Sequence, residues 1–117
     1  MRHSRKTLSA STIMDFNVEN PAGDNLGSIE DIMIDVDGCV AYAVLSSGGV
    51  LGMGGKLFAV PWDRLSPSDK DKTFILNVPK ESLQDVRSFD RDNWPDFSDP
   101  GWRQEVYDYY DALIGDQ

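Results

Sequence analysis

A chain of 117 residues with a formal charge of -9, from 11 Lys+Arg against 20 Asp+Glu, has the wrong sign for a nonspecific binder of nucleic acid or of anionic membrane surfaces. Its length suits one domain that hides about two thirds of the extended chain's surface on folding, and 40% hydrophobic with 26% charged residues excludes wholesale disorder. The single Cys39 cannot close an intramolecular disulfide, no Asn-x-Ser/Thr acceptor occurs, and no run approaches the roughly 18 apolar residues of a membrane helix, so a cytoplasmic protein without direct membrane insertion is expected.

Residues 1–7 carry Arg2, Arg5 and Lys6 but lack the apolar stretch of a signal peptide, and read as a frayed basic arm. Ile13 to Val18 is a weak strand candidate, followed by the turn cluster Asn20-Pro21-Ala22-Gly23-Asp24-Asn25. From Leu26 the chain alternates through Ile32, Ile34 and Val36, the pattern of a half-buried strand. Ile29 is out of phase with Ile32, which demands a bulge near Glu30 and Asp31. Asp37-Gly38 then supplies a hairpin turn, and Cys39 to Leu45 the return strand.

After the Gly-rich loop Gly48 to Gly55, Lys56 to Trp62 reads as a strand with Phe58, Val60 and Trp62 on one face, Trp62 largely buried, and Pro61 at a strand end. Ser66 to Lys72 is a polar loop, and Phe74, Leu76 and Val78 mark a further strand. Glu81 to Val86 can form a helical turn. Phe89 to Asp99 is irregular yet carries Trp94 and Phe97, so it should pack on the body of the protein. Asp99-Pro100 is a helix start, and Trp102, Val106, Tyr109, Tyr110 and Leu113 form one stripe of an amphipathic helix over about residues 100–114.

The segments Asn20 to Asp35, Ala41 to Gly54 and Lys56 to Trp62, in that order, closely resemble the PRC-barrel domain, and Phe89 to Pro100 resembles the extension of small stand-alone bacterial members. The resemblance covers roughly Leu8 to Val78. It implies an all-β, SH3-like barrel of five or six strands, here with a C-terminal irregular segment and amphipathic helix. The expected organisation is a basic arm over 1–7, the barrel over 8–80 and an extension over 81–117 that packs on the barrel or on a sister subunit. The family includes the cytoplasmic domain of the photosynthetic reaction centre H subunit and the C-terminal domain of a ribosome maturation factor, in which the barrel docks partners. Neither the membrane helix of the first nor the extra N-terminal domain of the second is expected here. Asp15 stands where relatives usually have Gly, and Gly55 where many have a polar residue.

Catalytic, cofactor and metal motifs are all incomplete. The glycines before Lys56 lack the spacing of a phosphate loop, since Val50 stands where a Gly is needed and Leu57 where Ser/Thr is needed. Asp31, Asp35 and Asp37 have no closing ligands after Gly38 for Ca²⁺. His3 lies alone in the arm, and Cys39 has no neighbouring base. Asp90, Asp92, Asp96 and Asp99 surround Trp94 and Phe97 without a carboxylate pair of defined separation.

No catalytic, cofactor-binding or metal residue is therefore assigned. The expectation is a non-enzymatic protein-interaction or assembly module forming a homodimer or larger homo-oligomer, with Val50, Leu51, Met53, Trp94, Phe97, Trp102 and Tyr109 as candidate partner-binding residues. The alternative is a small-ligand or ion-binding stress-response protein.

Overall fold

The computed structural model describes residues 8–47, 56–84 and 86–114. Seven short strands form one sheet: β1 (Asn17–Glu19), β2 (Asn25–Ile34), β3 (Val40–Ser46), β4 (Leu57–Pro61), β5 (Leu65–Pro67), β6 (Thr73–Leu76) and β7 (Ser88–Phe89). Their order is β5-β6-β1-β2-β3-β4-β7. Every pairing is antiparallel except β1 with β6, where Asn17, Val18 and Glu19 run alongside Thr73, Phe74 and Ile75.

The mostly β architecture agrees with the sequence reading, but the strand count is seven rather than five or six. The added strands are short edge pieces without an alternating pattern of their own. Leu65–Pro67 takes the first two residues of the expected polar loop, and Pro67 sits at the sheet edge, where its missing N–H does no harm. Ser88–Phe89 pairs with β4 and draws the start of the irregular segment onto the sheet.

The out-of-phase Ile29 finds the bulge it requires. Ile29 faces Leu45 and Asp31 faces Val44, so Glu30 is the extra residue, and Ile29 reaches full burial on a bent strand. The hairpin after β2 begins earlier than the alternation suggests. Asp35 N–H donates to the Cys39 carbonyl, and Asp35 Oδ1 accepts from the N–H groups of Asp37 and Cys39. Val36 therefore belongs to the turn and not to the strand.

Two other expectations are corrected. Residues expected to begin a strand at Ile13 instead complete a one-turn helix, α1 (Ala10–Ile13), which buries Ile13; only Asn17–Glu19 is extended. Asp15 between them has φ +70°, a backbone state that Asp tolerates better than most residues and that Gly would adopt freely. Trp62 is not part of β4. Pro61 ends the strand, Trp62–Arg64 forms a 3-10 turn, and the indole is half-buried, edge-on to Phe74 at 5.6 Å.

The main core joins the sheet to the C-terminal helix α2 (Pro100–Ile114), and a smaller cluster gathers Val44, Leu57 and Phe89. Asp99 caps it: Oδ2 accepts from Trp102 N–H at 3.0 Å, and Pro100 occupies the first turn, where no N–H is needed. Of the expected stripe, Trp102, Val106 and Tyr110 are buried, and Tyr109 and Leu113 half-buried. Buried Asn20 ties the β1–β2 turn to the chain beyond β6, donating to Asp24 and to the Val78 carbonyl while accepting from Asp24 N–H.

Candidate interaction surface

The aromatic residues of the extension look inward. Trp102 lies 5.4 Å from the Tyr42 ring and 4.6 Å from Phe97, and Phe97 makes an edge contact with Phe89. Trp94 packs on Phe89 at 5.2 Å, and its indole N–H donates to the Arg91 carbonyl. The Tyr109 hydroxyl donates to the Ser82 carbonyl. Trp102 and Phe97 thus fasten the extension to Tyr42 of β3, while Trp94 and Tyr109 tie parts of the extension to one another. Val50, Leu51 and Met53 lie outside the described residues.

Ion pairs reinforce the attachment. Arg64 reaches Asp111 on α2, Arg87 reaches Glu105, Arg91 reaches Glu30 on β2, and Lys56 meets Asp90 at 2.6 Å. Partly exposed pairs of this kind stabilise little individually, but they leave these cations with carboxylate partners. The Asp111 carboxylate beside Arg64 holds that guanidinium above its ordinary pKa. Arg103 differs: among the described residues it is the one arginine without a carboxylate partner, and it lies over the Tyr42 ring at 5.7 Å.

Exposed apolar surface is concentrated at the turn between β2 and β3, where, of the expected site residues that are described, only Phe97 comes near. Among the described residues the large exposed hydrophobics are Leu8 (49%), Ile34 (64%) and Val36 (103%). Ile34 and Val36 stand on the hairpin tip, and hollows flank it. One, of about 370 Å³, is walled by Leu8, Ile13, Ile34, Trp62, Leu65 and Phe74. The other, of about 260 Å³, is walled by Ile34, Asp35 and Val36 of the tip itself and, across from them, by Tyr42, Phe97 and Arg103. The hairpin tip is therefore a ridge with an apolar hollow on one side and a mixed one on the other. The signal available in the sequence was Val36 directly before Asp37-Gly38, an apolar side chain placed in a turn; strand alternation disguised it.

A third hollow, of about 230 Å³, lies beneath α2 against Ala59, Val86, Val106 and Tyr109. Its charged rim, Arg87 with Glu105, is already paired, and the Tyr110 hydroxyl at its back is sealed from solvent. Among the described residues no three His, Cys, Asp or Glu side chains gather as metal ligands, and no helix is long and apolar enough to cross a membrane.

A bent seven-stranded sheet braced by one C-terminal helix defines a small β-barrel module. The sequence profile of the PRC-barrel domain matches residues 6–83, well over half the chain, and the protein belongs to the PRC-barrel family. No curated protein matches it in sequence.

Proposed function

We propose that this PRC-barrel protein is a non-enzymatic, cytoplasmic interaction module that assembles with itself. The observation carrying this reading is the ridge: Ile34 and Val36 are largely or wholly exposed on an ordered hairpin, between hollows deep enough to receive side chains. Apolar groups held in water by a well-packed scaffold are stabilised by a cover, at about 25 cal/mol per Å² removed from solvent. The chain's own extension is occupied elsewhere, since Trp94, Phe97 and Trp102 pack on Phe89 and Tyr42. A second copy supplies both a ridge and hollows, which suits a two-fold contact using one patch twice.

Light scattering across a wide concentration range at physiological salt tests the reading. The expected result is a mass rising to twice the 13.1 kDa of one chain. A mass that stays at 13.1 kDa throughout would refute self-assembly.

A further inference from the structure

Resting on that reading, we propose which surfaces meet: each hairpin tip enters the mixed hollow of the second copy, so that Val36 seats against Met33, Tyr42 and Phe97, and Asp37 of each chain pairs with Arg103 of the other. Charge selects this hollow over the larger apolar one. Val36 is flanked by Asp35 and Asp37, and Asp35 is engaged within the turn through its Oδ1. Asp37 is exposed and would travel with Val36 into whatever the tip enters. Against Leu8, Trp62 and Phe74 that carboxylate would lose water and gain no partner, a costly burial. Against Arg103 it meets a half-buried arginine that shares the hollow with Asp35 but is held in no ion pair among the described residues. Arg103 is steadied by the Tyr42 ring, so little side-chain freedom is lost on pairing.

The ridge and its receiving hollow are adjacent on one chain, Ile34 and Val36 of the ridge forming one wall of the hollow. That adjacency is what a two-fold axis requires: the tip of the first copy enters the second while the tip of the second enters the first, with Ile34 close to the axis. Association then closes at two chains.

The test is a charge exchange in the full chain, with the dimer constant read by sedimentation equilibrium. Asp37→Arg should weaken the dimer by at least about tenfold, because two guanidinium groups are brought together. The direction is diagnostic, since this change reduces the net charge of a -9 chain and would tighten a contact governed by overall repulsion. Arg103→Asp should weaken it similarly, and the double variant Asp37→Arg with Arg103→Asp should recover most of the wild-type constant at unchanged net charge. Asp37 is exposed on a turn, so its single variant stays informative even if Arg103→Asp disturbs packing on Tyr42; circular dichroism checks both. A dimeric wild type with an unweakened Asp37→Arg variant would overturn the proposed contact while leaving self-assembly intact. So would a double variant that folds but does not recover. A monomeric wild type would remove both.

Discussion

Tyr110 is fully buried on α2, and its hydroxyl has no hydrogen-bond partner among the described residues. An unpaired buried hydroxyl costs about 1 to 3 kcal/mol of desolvation, so Tyr110→Phe should leave stability unchanged or raise it by about 1 kcal/mol in a denaturant titration. A loss larger than that would show that the hydroxyl is bonded in solution. Burial also pushes the phenol far above its ordinary value of 10.0. The folded state therefore retains a proton that the unfolded chain gives up near pH 10, and this contribution to stability is complete below about pH 10 and is lost as the pH rises further. Burial raises Tyr42 and Tyr107 in the same direction. Alkaline unfolding should accordingly be shallower for Tyr110→Phe than for the wild type. Gly27 presents the opposite case, a position with no room: its φ is +140°, and an added Cβ would lie 2.5 Å from the Ser46 carbonyl oxygen. Since backbone lies on both sides, Gly27→Ala should cost about 2 kcal/mol or more, and an unmoved denaturation midpoint would refute the close approach of β2 to β3 there.

The two tryptophans at element boundaries separate what periodicity can and cannot reveal. Trp102 sits on a helix whose 3.6-residue stripe names the buried face, and it is 8% exposed. Trp62 follows Phe58 and Val60 in perfect alternation, yet Pro61 ends the strand before it and the indole turns onto Phe74. Trp102→Ala should therefore cost about 3 to 5 kcal/mol and Trp62→Ala distinctly less, the order being read from thermal or urea unfolding. Equal costs would mean that Trp62 is covered in the assembled protein. The same contrast runs through the molecule. Glu30's bulge was legible because Ile29 and Ile32 could not otherwise share a face, and the Asp99 cap because its chemistry is local. The strands Leu65–Pro67 and Ser88–Phe89 were not, since two or three residues contain no period and are extended only because a longer neighbour offers hydrogen bonds. The hairpin ridge escaped for a related reason: exposure of Val36 depends on where Asp35 closes the turn, a hydrogen-bonding decision invisible to hydropathy.

At the scale of the whole molecule, the mixed sheet implies an order of events in time. β1, β2, β3 and β4 follow one another as an antiparallel meander, β1 and β2 separated by only the turn between Glu19 and Asn25, whereas β6 must wait, Thr73 finding Asn17 across most of the barrel sequence. Loop-closure entropy places such a pairing late, after local contacts have formed. Leu76, fully buried on β6, then belongs to a part of the core absent from the folding transition state, whereas Val44 in the middle of the meander belongs to one already present. Leu76→Ala should speed unfolding with little change in the folding rate, and Val44→Ala should chiefly slow folding, as the two arms of a chevron plot would register. The reverse pattern would mean that the parallel ladder nucleates the barrel. On the expected pattern, β6 is the last strand to engage and the first to release, so the lifetime of the folded protein depends on the four residues Thr73–Leu76.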